Sequence, residues 1–246
     1  MAGRGRSMAI VAMAAAVLLG GCQRVRDALG GPTDAQMLAA VSLTDDDVAP
    51  EATLEPYPDG NVVVGQTSLD LCYGSFPSED LRVGRQQVGV GDASGEAWVS
   101  SEAILYSHPE QAEQAMAELE AAVRDCPSTA VAPPQDDRDP LVWQFDDAPD
   151  PSWPDQPGVV RQAYAFTVTG MDGQARSGTA TYLQRGRMIL ALYATPADAS
   201  QSTLRNSPDA ARFTEVMARR LMAIPMASLR TPNPVAPVDD PNDVSA

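Results

Sequence analysis

From Ala112 to Cys126 the apolar positions are Ala112, Ala115, Met116, Leu119, Ala122, Val123 and Cys126, with Glu113, Glu118 and Glu120 among the polar ones between. Spacings of three and four residues put the first set on one face of a helix and the glutamates outside it. Ser107-His108-Pro109-Glu110 in front reads as a capping box: the Ser107 hydroxyl accepts a first-turn amide, Glu110 reaches back, and the proline removes a donor that has no partner there. Pro127 stops the helix directly after Cys126. Two further helices are expected. One runs from Asp34 through Met37, Leu38 and Val41 until Asp45-Asp46-Asp47 and Pro50 end it. The other starts at Ser207-Pro208-Asp209 and turns Phe213, Val216, Met217 and Leu221 inward.

Elsewhere the period falls to two. Arg82 to Val90 and Ala97 to Tyr106 predict two strands joined by the turn-rich Gly91-Asp92-Ala93-Ser94-Gly95. Trp98, Ile104 and Tyr106 share one face of the second strand, and Ala97, Val99, Ala103 and Leu105 share the other. Ser100, Ser101 and Glu102 interrupt both faces, which points to an edge or a site. Gly89-Val90-Gly91 reads as a turn signal. Residues 49–61 carry three prolines and read as loop, followed by a short strand around Val62-Val63-Val64 that leads to Cys72. Another short strand is expected at Leu141-Val142-Trp143-Gln144-Phe145, between flanks dense in proline and aspartate.

From Val159 to Thr195 the pattern is a meander. Val160, Tyr164, Phe166 and Val168 alternate with Arg161, Ala163 and Thr167. Gly170-Met171-Asp172-Gly173 turns the chain into a strand bearing Thr179, Thr181 and Tyr182, and Gln184-Arg185-Gly186 turns it again into Met188 to Thr195. That last segment is apolar on both faces and so central. Strands linked by tight turns are antiparallel. The fold class is therefore α+β: a single domain over residues 34–229, a mainly antiparallel sheet with helices packed on one face, and one disulfide. The proline-rich stretch in the middle is no domain boundary, because neither side alone has enough elements to bury a core. Residues 230–246 lack periodicity and are expected to be disordered.

The N-terminus changes the picture more than any internal motif. Arg4 and Arg6 precede an apolar run from Ala9 to Leu19, which ends at Gly20-Gly21-Cys22. That order is the layout of a secretory signal peptide over residues 1–21, and a cysteine after the small residues fits the bacterial lipobox. Cys22 is then the lipidation site, thioether-linked to diacylglycerol, with residues 22–33 as a tether. The apolar run, at about 1.5 Å per residue, is too short to cross a hydrocarbon core of roughly 30 Å as a helix. Two acyl chains give a stable anchor, which one does not. The expected location is the extracytoplasmic face of the cell membrane, with the lipid on Cys22 as the membrane partner.

Removing residues 1–21 leaves 225 of the 246 residues and, with both N-terminal arginines gone, a charge of −18 instead of −16. There is no lysine, so Schiff-base and P-loop lysine chemistry are excluded. An acidic surface repels nucleic acid, and no nucleic-acid partner is expected. The three cysteines become an even pair once Cys22 is lipidated, and outside the cytoplasm Cys72 and Cys126 are expected to form a disulfide. The competing readings are two buried free thiols or a pair of metal ligands. A single histidine and no CxxC spacing speak against metal.

Catalytic signals are scarce. His108 is the only histidine and sits at a helix N-terminus, where side chains are solvated. No Gly-x-Ser-x-Gly, His-Glu-x-x-His or Gly-x-x-x-x-Gly-Lys motif is present. Asp45-Asp46-Asp47, Asp136-Asp137-x-Asp139 and Asp146-Asp147 lack the glycine turn and distal glutamate of a calcium loop and read as solvated loop residues. Trp98, Trp143, Tyr164 and Tyr193 are expected in the core. Trp153, among Pro151, Pro154 and Pro157, is the weak candidate for ligand recognition. No catalytic residue, metal or cofactor is assigned.

Leu43-Thr44-x-x-Asp47 after the first helix, a cysteine before the first strands, the strand end Ile104-Leu105-Tyr106 and the helix running into Cys126-Pro127 form a familiar sequence of features. With the lipobox, they resemble the exported, cysteine-stapled lipoproteins of high-GC Gram-positive bacteria, which look similar to the extracellular sensor domain of membrane Ser/Thr protein kinases. The kinase sensor domains carry a second disulfide, for which this chain has no cysteines. The likeness spans roughly residues 34–225 and implies an antiparallel sheet packed with helices and a ligand-binding cleft, with no catalytic residue to transfer. The expected function is non-catalytic, sensor-like binding of a ligand or envelope partner. The alternatives are a lipid or lipoprotein carrier with an apolar cavity and a structural subunit of an envelope complex.

Overall fold

Met188–Ala194 forms the middle strand of a seven-stranded sheet, and every residue in it except Tyr193 is buried. The structure, a computed structural model, describes residues 31–48, 50, 52–91, 97–133, 139–147, 156–194 and 208–231, with backbone alone at 97, 98, 147 and 208–211. Asp34–Pro232 forms one compact unit. Of the other, Met1–Thr33 with Asn233–Ala246, only residues 31–33 are described. The signal peptide, Cys22, Trp153, the Trp98 side chain, Asp136, Asp137 and the C-terminal tail after Thr231 therefore lie outside the described residues.

The strands are β1 (Thr53–Pro56), β2 (Arg82–Gly91), β3 (Ala97–Tyr106), β4 (Val142–Asp147), β5 (Val160–Thr169), β6 (Ala175–Arg185) and β7 (Met188–Ala194). Their order is β1-β2-β3-β7-β6-β5-β4, and all pairs are antiparallel. The helices are α1 (Asp34–Val41), α2 (Pro109–Arg124), α3 (Pro208–Ala223) and the short α4 (Met226–Arg230).

Helices cover both faces of the sheet, which corrects the expectation of one. Met37, Leu38 and Val41 of α1 and Phe213, Met217 and Leu221 of α3 pack on Val99, Leu105, Met188 and Leu190. On the opposite face Ala112, Ala115, Met116 and Leu119 of α2 pack on Ile104, Tyr106, Tyr182 and Ile189. Alternate residues of β3 and β7 point to opposite faces and both sets are apolar, so each face needs a cover. Burying Leu119 alone stabilises by about 1.5–3 kcal/mol.

Local signals place most elements. The α2 cap is shifted by one residue from the expected box: Gln111 Oε1 accepts from the backbone N–H of Ser107 at 3.0 Å and His108 at 3.1 Å, with Pro109 opening the helix. Val62-Val63-Val64 is not a strand, and Val64 is 88% exposed. The strand lies earlier, at Thr53–Pro56, inside the stretch read as loop. As an edge strand β1 tolerates Pro56. Gly89-Val90-Gly91 belongs to β2 and forms no turn.

One arginine joins three elements. Arg187, in the two-residue β6–β7 turn, is fully buried. Its Nη2 pairs with Asp34 Oδ1 at the start of α1 at 2.5 Å, and Nη1 donates to the Tyr106 carbonyl at 3.0 Å. Nε donates to the Ser228 carbonyl in α4 at 3.0 Å.

Candidate functional site

Antiparallel neighbours need only a two-residue turn. Between β1 and β2 the chain instead makes a 25-residue excursion, residues 57–81, that contains only two 3-10 turns, Leu71–Tyr73 and Pro77–Leu81. Connections of this length without regular structure are uncommon in compact domains and are usually functional. What fixes this one is a set of buried charges on the α2 face of the sheet.

Arg85 of β2 donates from Nε to Glu102 Oε1 of β3 at 2.6 Å. Its Nη1 donates to the Val62 carbonyl at 3.2 Å and its Nη2 to Gln87 Oε1 at 2.8 Å. Arg82 holds the same excursion through the carbonyls of Val63 and Gln66 and through the Ser68 hydroxyl, which in turn donates to Glu102. Glu79 closes the group. It accepts the amides of Ser68 at 2.8 Å and Leu69 at 3.1 Å and pairs with Arg82 at 3.0 Å. Burial pushes the Glu79 carboxyl up to about 7, outweighing the attraction of Arg82 and the two amides. The Ser100-Ser101-Glu102 interruption is thus neither an edge nor exposed. β3 lies third in the sheet, and Glu102 is the buried centre of the network.

The far end of the excursion is held covalently. Cys72 and Cys126 are joined, with their Cα atoms 5.9 Å apart, tying the excursion to the C-terminal end of α2. Closing a loop of 54 residues is worth about 4 kcal/mol in the chain-entropy picture. Cys72 and Tyr73 both adopt left-handed backbone, at φ 56° and 49°, a conformation costly for residues with a Cβ. This turn brings the Tyr73 ring edge-on to Trp143, with centroids 5.7 Å apart.

Trp143 begins a row of rings across the same face. Phe145 stacks on it, Tyr164 meets Phe145, Tyr182 meets Tyr164 and Tyr193 meets Tyr182, at centroid separations of 5.7 to 6.5 Å. The Tyr182 and Tyr193 hydroxyls lie 2.7 Å apart, and Tyr193 donates to the Ser68 carbonyl at 3.2 Å. Burial holds both phenols well above the ordinary tyrosine range. Most of these contacts are edge-to-face and fill the rings' own faces, as in a core. Trp143, Tyr164 and Tyr193, expected in the core, are partly buried and pack against its edge.

At the β1 margin the face opens into a groove of about 200 Å³. Its lining is Thr53, Glu55, Pro56, Tyr57, Pro58, Gly89 and Gly91. Register explains the arrangement. Glu55 lies opposite Gly89, Gly89 opposite Ser100 and Ser100 opposite Tyr193, and residues directly opposite share a face. The floor is glycine, and the Tyr57 ring lies over it: a Cβ at Gly89 would come within 2.9 Å of Tyr57 Cε2. Beside the groove the Gln87 amide donates to the Ser100 hydroxyl at 3.1 Å.

His108 stands exposed at the head of α2, outside the buried charge network, and Asp45 and Asp46 are exposed. Asp47 is buried instead. It accepts from the Thr44 amide at 2.7 Å and pairs with Arg220 of α3 at 2.8 Å, a structural role that its place in an acidic run conceals. Among the described residues, no three His, Cys, Asp or Glu side chains are grouped to hold a metal. The arrangement offers an aromatic wall, one carboxylate and hydroxyls around a concave margin, a binding chemistry. Sequence reasoning missed the groove and both arginines. Their only signals were the polar break at Ser100 to Glu102 and the glycines at 89 and 91.

No family model matches the chain, and no curated protein matches it. Among solved structures, it is similar to the extracellular domain of PknH from Mycobacterium tuberculosis at 13% identity and a TM-score of 0.45, over 76% of this chain and 98% of that one. An uncharacterised Mycobacterium smegmatis protein, the Rv0999 ortholog, is similar at 11% identity and a TM-score of 0.40, over 76% and 97%. The Saccharomyces cerevisiae Ran-binding protein Mog1p follows at 12% identity and a TM-score of 0.29, over 73% and 98%. Likenesses at this level bear on neither ligand nor chemistry.

Proposed function

We propose that this chain is a lipid-anchored binding protein on the extracytoplasmic face of the cell membrane, and that it is not an enzyme. The observation that carries the reading is the Cys72–Cys126 bridge. A disulfide suits an exported protein, and with two of three cysteines joined, Cys22 is the one thiol left for a lipid. Its position after Arg4, Arg6, the apolar run and Gly20-Gly21 is where a diacylglyceryl group is added. Among the described residues no helix is long and apolar enough to cross a membrane, so membrane attachment in this reading is the work of the lipid. The stapled excursion and the groove beside it supply the binding surface.

Metabolic labelling with radioactive palmitate tests the anchor. The full chain takes up label and fractionates with membranes, and Cys22→Ser takes up none and is released. Absence of label in the unaltered chain overturns the anchor. A thermal-shift screen of cell-wall fragments, lipids and small metabolites tests binding, and a screen without a stabilising compound counts against it.

A further inference from the structure

We infer that the groove between β1 and β2 is a site for a small organic cation, an ammonium headgroup. The inference deepens the binding reading above and rests on it. The Glu55 carboxylate lines the groove, is exposed, and has no ion-pair partner among the described residues. Among the described residues, no arginine lines the groove. The two arginines on the neighbouring stretch of the same face are committed, Arg82 to Glu79 and Arg85 to Glu102. The chain has no lysine and a net charge of −16, a balance that favours cations over anions at its surface.

The floor does not favour anions either. Gly89 and Gly91 sit in β2, paired on one side with β1 and on the other with β3. Their backbone groups serve the two ladders and form no nest of amides for a phosphate or carboxylate. What remains is Tyr57 and Glu55, which line the same groove. An aromatic ring attracts a cation through its quadrupole, and a carboxylate adds a direct charge. The Tyr57 backbone is held by β2 and by the first turn of the excursion. Its N–H donates to the Gln87 carbonyl at 3.2 Å, its carbonyl accepts from Gly60 at 2.9 Å, and the Gln87 N–H donates to the Gly60 carbonyl at 3.0 Å. The main chain that carries the ring is therefore fixed before any ligand arrives, which lowers the ordering cost of binding.

The probe is choline, with acetate as the anion and 3,3-dimethyl-1-butanol as the uncharged isostere. The full-length chain is kept in a neutral maltoside detergent, and NMR follows the Gly89 and Gly91 amides. Choline is expected to shift both saturably, to bind at least fivefold more tightly than the isostere, and to weaken as salt rises. Glu55→Gln lowers the affinity at least threefold and removes the salt dependence, while Tyr57→Leu lowers it at least threefold and leaves the salt dependence in place. Equal binding of choline and the isostere, or choline binding unchanged by Glu55→Gln, overturns the cation assignment and leaves the groove a binding site. Saturable shifts with acetate alone do the same. If no probe shifts these amides while the thermal-shift screen finds a ligand, the assignment of this groove fails but the binding reading survives. If both are blank, both fail.

Discussion

The Nε of Arg85 donates to Glu102 Oε1 at 2.6 Å, with the two side chains 3% and 2% exposed, so a full ion pair is enclosed between β2, β3 and the excursion above them. Removing both charges from water costs several kcal/mol each, and the pair recovers this only because its remaining donors are used: Arg85 also reaches Val62 and Gln87, and Glu102 also accepts from Ser68. Breaking one half should therefore hurt more than replacing both. Glu102→Ala or Arg85→Ala is expected to lower unfolding stability by about 3–5 kcal/mol in urea titrations, whereas Arg85→Met with Glu102→Leu recovers at least half of that loss. Equal losses for the single and double variants would show that the pair is not the latch of the excursion.

Glu79 links that latch to pH. Burial raises its carboxyl to about 7 in the folded protein, well above the ordinary glutamate value. A raised acid favours folding in its protonated form. The contribution is complete below the ordinary glutamate range and is lost as pH rises through about 7. Between pH 5 and pH 8 this group should reduce stability by on the order of 2–3 kcal/mol. Glu79→Gln keeps a neutral acceptor in place and should flatten that part of the profile. A wild-type profile flat over this interval, or one unchanged in Glu79→Gln, refutes the assignment.

Gly186 tests the tight turn that positions Arg187. Its φ is +56°, and a Cβ there would lie 2.4 Å from the Leu229 carbonyl oxygen, which also accepts the Arg187 N–H at 2.9 Å. Both the conformation and the contact oppose a side chain. Gly186→Ala should cost about 2 kcal/mol or more and lower Tm by about 5 °C in calorimetry. A Tm within a degree of wild type would mean that α4 is free to shift away.

Several elements were legible because one physical pattern dominated each. The helix face of Ala112, Ala115, Met116 and Leu119 is buried as its spacing required. The two-sided apolar run at Met188–Ala194 lies at the sheet centre. The faces assigned to Val99, Ala103 and Leu105 against Ile104 and Tyr106 are the two cores. Val62-Val63-Val64 misled because β-branched residues favour a strand without supplying a neighbour to pair with. The carbonyls of Val62 and Val63 bond instead to Arg85 and Arg82, side chains about twenty residues ahead.

Local order, then, was written in the chain. Alternation and helical spacing are short-range properties, set by backbone geometry over a few residues, and they specified most of the strands and helices, though not β1. The three-cysteine arithmetic likewise named the pair that is bridged. Which helix covers which face, why Glu102 is buried, and how Glu55, Tyr57, Gly89 and Gly91 come to enclose one groove depended on contacts between distant segments. Strand register and buried charge pairing bring those residues together, and neither leaves a periodic trace in the sequence.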